Sequence, residues 1–438
     1  MPSSEHGFNT PFDGAIRQQY AGFRRVRGTE IVRLSLLDQM FKSKKANTVR
    51  QSETARESDL SMSVAVLPTQ VQPRELPADE SVGLLEPVAY FDGPMPTGVT
   101  VSQDGRIFVC FPKWGDHVEF TVAEIWHDRA VAFPDEATNR TVPSDPAAAL
   151  VSVQSVVVDA ANRLWILDTG SPMFDPVVYG GAKLVCVDLE TDAIVKKILF
   201  PMDVALVTSY LNDVRFDLRR GSEGMAFITD SSDKGPNGII VVDLATGKSW
   251  RRLHNHPSTK ASAPRGCLPI VEGHPLLDHP ANGPTKPVGM GADGIAISAD
   301  GSLLYFCPLI SRRLYSVPTD ALADVWMDDE TVGQTVIDKG DKGGAADGLE
   351  SDAEGNIYAT NYEHNAILRR PPDGIWETVA HDPRLLWPDT LSLATDGYLY
   401  VTANQLHRSP RFHQGHDLRR KPYTLFRVAV GTQPVRLR

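Results

Sequence analysis

Cysteine is scarce in this chain, with four residues in 438 and no Cys-x-x-Cys pair. Cys110, Cys186, Cys267 and Cys307 lie far apart in the sequence, which excludes a dense disulfide framework and leaves them as reduced, structural residues. Long apolar runs are missing too. Stretches such as Ile239 to Val242 and Leu303 to Leu309 fall far short of the ~20 residues a membrane span needs, so none is expected. The basic N-terminal region (Arg24, Arg25, Arg27, Arg33) is followed only by the broken apolar stretch Ile31 to Phe41, which is no secretory core. As given, the chain therefore reads as cytoplasmic.

Positive charge is in deficit: 44 Lys and Arg face 55 Asp and Glu, for a net charge of −11. An acidic body argues against nucleic acid as a partner and suits a small neutral or cationic ligand, or a hard metal ion. Nucleotide and nucleophile motifs are absent as well. There is no Walker loop and no strand, Gly-rich turn and helix for a dinucleotide. Gly221-Ser-Glu-Gly falls in a hairpin turn, not in a nucleophile elbow. His254, His256, Cys267, His274 and His279 crowd one insertion without the spacing of a zinc site.

What the sequence does have is turn residues, 34 Gly and 32 Pro, and a repeat. Six units each pair two short apolar strands across a turn. They start at Thr97, Gln154, Asn212, Asp293, Asp347 and Asp389, at intervals of 42 to 81 residues. Asp293-Gly-Ile-Ala-Ile-Ser-Ala-Asp-Gly-Ser-Leu-Leu-Tyr-Phe is typical, with the central Asp-Gly supplying the positive φ of a tight hairpin. Each interval has room for two further strands. The reading is all-β, a six-bladed β-propeller over 81–438, with Arg252 to Val288 as a long ordered loop. Residues 1–80 form an extension of low order with one possible helix, Arg17 to Lys45.

In a propeller blade the innermost strand starts at one mouth of the channel and the second strand ends there. That places Thr97, Gln154, Asn212, Asp213, Asp293, Asp347 and Asp389 in one ring. It also brings Trp114, Asp168, Asp230, Asn361, Tyr362 and Asn404 to the same mouth, with His364 and His407 just beyond. A concave site rich in carboxylates and amides is the candidate ligand site.

Tyr210-Leu-Asn-Asp-Val-Arg-Phe-Asp, Arg163-Leu-Trp-Ile-Leu-Asp-Thr-Gly, Phe306-Cys-Pro-Leu-Ile-Ser-Arg-Arg-Leu-Tyr and Trp387-Pro-Asp resemble the major royal jelly protein/Yellow family, in its bacterial, dopachrome tautomerase-related branch. Asn361-Tyr-Glu-His-Asn and Asn404-Gln-Leu-His-Arg fit the same branch. The resemblance covers about 85 to 430. It implies a six-bladed propeller with a channel ligand site, and either dopachrome-type conversion or the binding of biogenic amines. The family's usual secretory signal has no counterpart here. A more distant similarity to metal-dependent lactonases implies a divalent cation, Ca²⁺ or Mg²⁺, with Asn212, Asp293, Asp347 and Asp389 as oxygen ligands. The Glu expected of such a site in the first blade is replaced by Pro96-Thr97-Gly98.

The sequence thus yields two enzymatic expectations and one of binding alone, all for a small cyclic or aromatic molecule. Tautomerisation uses Asp213 or Asp389 as base and His364 or Tyr362 as acid. Metal-assisted lactone hydrolysis uses the cation and one ring carboxylate. A non-catalytic amine binder uses the acidic ring for the ammonium and Trp114 or Tyr362 for stacking. Thr97, Trp114, Gln154, Asn361 and Asn404 are the ligand-binding expectation in each case. Because no repeat unit draws on the first residues, deleting 1–75 is expected to leave a protein with the cooperative melting transition of the full chain, measurable by circular dichroism.

Overall fold

The computed structural model describes residues 80–140, 142–261 and 267–438. The expected N-terminal extension and its helix lie, apart from residue 80, outside the described residues. From Leu85 onward the chain forms six four-stranded antiparallel sheets, a six-bladed β-propeller. We number the blades I to VI by their innermost strands: Val99–Val101, Val153–Val158, Leu211–Asp217, Ala292–Ile297, Leu349–Ser351 and Pro388–Leu393. Each inner strand contacts the next, and blade VI returns to blade I, so the ring is closed.

Burial follows position in the blade. Leu211–Asp217 and Ala292–Ile297 are buried at every residue, because channel and neighbouring blades cover both faces. Such strands read as unbroken apolar or small-residue runs. The outermost strand Ala193–Leu199 buries only Ile198 fully. Between each pair of blades lies one apolar cluster. Trp165, Leu184 and Leu211 belong to the one between II and III, and Phe227, Ile239 and Leu304 to the one between III and IV. The remaining four interfaces are filled in the same way.

The interfaces are also tied by hydrogen bonds at the level where inner strands begin. The Thr402 hydroxyl donates to the Thr97 carbonyl at 2.6 Å and Cys110 Sγ to the Gln154 carbonyl at 3.1 Å. The Ser155 hydroxyl donates to Asp213 Oδ1 at 2.6 Å, and the Thr229 hydroxyl to the Asp293 carbonyl at 2.6 Å. Cys307 Sγ reaches the Ala346 carbonyl at 4.0 Å, and the Gly348 N–H donates to the Asp389 carbonyl at 2.9 Å. These approaches leave no space for a side chain. A Cβ at Gly294 would lie 2.3 Å from the Asp347 carbonyl, and one at Gly348 2.3 Å from that of Asp389. All four cysteines are free thiols, and burial pushes the Cys110 thiol up to about 12.

Two features differ from the sequence reading. Blade VI takes its outer strand from the other end of the propeller: Leu85–Phe91 pairs antiparallel with Tyr423–Ala429. The insertion after blade III carries two short ribbons, Ile270–Val271 with His274–Pro275 and Leu277–Asp278 with Lys286–Pro287. Among the described residues, no helix is long and apolar enough to cross a membrane.

Removing one inter-blade donor leaves a buried carbonyl without its partner, at a cost of about 1–3 kcal/mol. Thr402→Val, nearly equal in shape, is expected to lower the unfolding free energy by that amount, and Thr402→Ser by less. Denaturant unfolding of the three proteins side by side checks this.

Candidate functional site

The inner-strand starts do converge at one mouth of the channel, as a sealed polar ring. Thr97, Gln154, Asn212, Asp213, Asp293, Asp347 and Asp389 are all 7% exposed or less. Their polar atoms are spent on one another. Asn212 Nδ2 donates to Asp293 Oδ1 at 2.6 Å, and Asn404 Nδ2 to Asp389 Oδ2 at 2.6 Å. Arg215 Nη1 donates to Asp213 Oδ2 at 2.9 Å, and the Tyr210 hydroxyl to Gln154 Oε1 at 3.0 Å. Asp293 and Asp347 lie close enough to share a hydrogen bond, which forms only when one of the two carboxyls carries a proton.

Burial pushes the carboxyls of Asp293, Asp347 and Asp389 well above the 3.8 of a free side chain, and the nearby ring carboxylates push in the same direction. Like charges this close, away from water, cannot all ionise. The four residues expected as metal ligands do not fit a Ca²⁺ or Mg²⁺ ion as they stand. Asn212 turns its N–H₂ to Asp293, Asp347 Oδ2 accepts the Trp387 indole N–H at 2.7 Å, and Asp389 is held by Asn404. Among the described residues, no group of three or more His, Cys, Asp or Glu is arranged to hold a metal ion.

Above the ring lies a second core, formed by loops. Val288, Met290, Leu309, Tyr362, Trp387 and Phe412 pack together there. Trp387 is its centre. Tyr362 stacks on the indole at 4.1 Å and 9°, His407 stacks at 5.9 Å and 17°, and the indole N–H binds Asp347. Burial pulls the His407 imidazole down to about 4, against the opposing pull of its 2.8 Å bond to Glu272, so it is neutral at physiological pH.

This apolar layer floors a cavity of about 750 Å³ that opens away from the ring. Trp114, Phe174, Met290, Leu309, Trp387 and Phe412 supply its apolar wall. Trp114 and Phe174 stack at 5.0 Å and 23°, and the Trp114 indole N–H donates to the Tyr210 hydroxyl at 2.7 Å. The cavity's two arginines are paired: Arg411 with Asp233 and Asp278, Arg419 with Asp116 and Asp417. Three of its bulky residues sit at positive φ: Met173 at 58°, Phe174 at 57° and Trp387 at 56°. For side chains of this size that conformation is strained, and it persists only where the surroundings enforce it.

Of the site residues expected from sequence, Trp114 lines the cavity. Thr97, Gln154, Asp213, Asp389 and Asn404 come together in the sealed ring. Asn361 and Tyr362 are buried, and the Tyr362 hydroxyl donates to the Leu309 carbonyl at 2.7 Å. His364 is exposed on a turn. Asp168 and Asp230 hold blades together: Asp168 accepts the Val151 and Ser152 N–H groups and pairs with the buried Lys183, and Asp230 pairs with Arg251. The cavity residues Met290, Leu309 and Trp387 are not among the expected site residues, although Leu309 and Trp387 belong to the motifs that carry the family resemblance. Each lies within three residues of an inner-strand start or second-strand end, so the strand register that placed Trp114 also reaches them.

Comparison with known proteins gives three findings. The family model for major royal jelly protein matches residues 151–430. Protein yellow of Drosophila erecta is 25% identical over 255 residues, covering 52% of this chain and 42% of that protein. Major royal jelly protein 1 of Apis mellifera is 27% identical over 188 residues, covering 40% of this chain and 38% of that protein. The matched stretches thus span less than half the length of these relatives. Among solved structures, a luciferin-regenerating enzyme covers 81% of this chain and 99% of its own at 12% identity and TM-score 0.49. A calcium-binding regucalcin from Agrobacterium tumefaciens covers 80% and 98% at 16% identity and TM-score 0.48.

The ring makes stability depend on pH. Its carboxyls bind protons more tightly folded than unfolded, so their contribution is complete below about pH 4 and is lost as pH rises through the raised folded values. Asp347→Asn keeps an acceptor for Trp387 and offers Asp293 a donor without a titrating proton. Its melting temperature is expected to match wild type at about pH 4 and to exceed it at about pH 8. A lower value at pH 8 would mean that the charged carboxylate itself holds the ring together.

Proposed function

The chain belongs to the major royal jelly protein family, and from that premise we propose that it binds a small, flat, largely apolar molecule in the cavity above the sealed ring. The observation that carries this reading is the wall itself. Aromatic and methionine side chains enclose a space of ligand size, about 750 Å³, and three of the bulky ones are held in strained backbone conformations around it. Pockets of this volume and lining bury most of a small ligand's surface, with apolar area providing affinity. Strain maintained at such a rim is consistent with a preformed site.

Binding is favoured over chemistry by where the acids lie. A general base must come within hydrogen-bonding reach of its proton, and Asp213 and Asp389 lie beneath the aromatic layer. The cationic-amine version has less support at Phe174, because the Arg411 guanidinium already sits 5.4 Å from that ring. The enzymatic reading, tautomerisation of a dopachrome-like quinoid or lactone hydrolysis, gains from one observation. The Trp387 indole ties the cavity floor to Asp347, so a ligand that displaced this side chain would face a carboxyl that burial pushes well above its usual range.

Fluorescence titration with a quinoid, an indolic amine and an aromatic lactone separates these readings when paired with turnover assays on the same compounds. Trp114→Ala is expected to weaken binding of the preferred compound about tenfold, roughly 1.4 kcal/mol, with little change in melting temperature. Unchanged affinity in Trp114→Ala would place the ligand elsewhere, and turnover by wild type would establish the enzymatic reading.

A further inference from the structure

The far end of the channel holds a second, smaller recess, about 100 Å³ in volume, to which all six blades contribute. Its outer wall is the C-terminal segment. The Ala353 N–H donates to the Gln433 carbonyl and the Leu218 N–H to the Leu437 carbonyl, both at 2.9 Å, while Leu437 is buried in the core between blades III and IV. This recess lies at the opposite end of the inner strands from the aromatic cavity.

The buried side chain at its heart is Arg215, 7% exposed. Nη1 binds Asp213 Oδ2 at 2.9 Å and the Val214 carbonyl at 2.8 Å, and Nη2 binds the Leu349 carbonyl at 2.7 Å. Nε has no partner, although it is a buried cationic donor. A group of that kind costs about 1–3 kcal/mol or more when left unbonded. Thr100 Oγ1 already accepts the Val158 N–H at 2.9 Å, so its own hydroxyl proton is free to donate. The hydroxyl-bearing Ser392 also lines the recess, and the exposed Arg436 stands at its rim.

The ionisable groups around the recess are largely paired. Asp213 offsets Arg215, and Arg163 offsets the Asp159 carboxylate, which also accepts the Trp165 indole N–H at 2.8 Å. Glu350 lies 3.8 Å from Arg215 Nη2, and burial pushes its carboxyl upward, toward the neutral form. Arg436 has no ion pair among the described residues.

We propose that this recess is a second ligand site, taking a small monovalent anion, a halide or a short carboxylate, between Arg215 Nε–H and the hydroxyls of Thr100 and Ser392. The anion satisfies the orphaned donor and faces the unpaired rim cation Arg436, which an apolar or cationic molecule cannot do.

Thermal melting of the full chain, titrated with sodium bromide or sodium acetate against sodium gluconate at matched ionic strength, tests the site. A saturable rise in melting temperature is expected with bromide, acetate or both, and none with gluconate, which is too large to enter. Stabilisation by bromide alone would identify a halide site, and stabilisation by acetate would admit carboxylates. Arg436→Glu, a change on an exposed side chain, is expected to weaken the apparent affinity about tenfold while leaving the melting temperature in gluconate unchanged. Crystals grown in bromide should show an anomalous peak beside Arg215 Nε. The proposal falls if small anions stabilise no more than gluconate, or if the recess of bromide-grown crystals holds only water.

Discussion

Everything in this molecule depends on the contact each blade makes with the start of the next inner strand. Six hydrogen-bonded approaches close the ring, and at two blade junctions a neighbouring carbonyl comes to where a Cβ of Gly294 or Gly348 would be. That closeness forces the side chains at the same level, Asp293, Asp347 and Asp389 among them, into one buried cluster. The cluster is stable only if its carboxyls share protons and amide donors and do not all ionise. What looks like an acidic mouth in the sequence is therefore a hydrogen-bonded keystone of low charge.

A sealed mouth moves ligand recognition outward, onto loops. Trp387 is the hinge between the two levels: its N–H serves the ring, and its body floors the cavity. Both of its faces are taken by Tyr362 and His407, so it offers a ligand an edge and not a stacking surface. Flat contact falls to the Trp114 and Phe174 side of the cavity. The division of labour is physical. Strands supply fixed geometry for proton-sharing groups, and loops supply apolar area that can be shaped to a ligand.

Much of this was legible in the sequence. Paired short strands across Asp-Gly turns or their analogues gave six units, the units gave the propeller, and strand starts placed Asn212, Asp293, Asp347 and Asp389 in one ring. What the pattern cannot carry is anything without register. His364 and His407 both follow second strands closely. One is exposed on a turn, and the other is buried by stacking on an indole from the preceding loop. Phe174, Arg411 and Phe412 sit on irregular segments whose path depends on long-range packing, so no periodicity announces them. The Leu85–Phe91 strand was invisible for a related reason: its partner lies at the opposite end of the propeller. Whether a carboxylate ring is open or closed depends on such non-local partners too, which is why its protonation state could not be read from spacing.

The pairing of Leu85–Phe91 with Tyr423–Ala429 also sets a timetable for the nascent chain. Leu85–Phe91 must wait for Tyr423–Ala429, and at roughly 5–20 residues per second that interval is tens of seconds. During it, blade I lacks its neighbour on one side and Phe91 has no Tyr423 opposite it. Trp387, Asn404 and the loop carrying Phe412 also emerge late, so the keystone ring and the cavity are completed only after blades I to V have emerged. A cell making this protein must therefore keep a set of apolar strand faces apart for that whole period, and chaperone demand should scale with the delay, not with the stability of the finished ring.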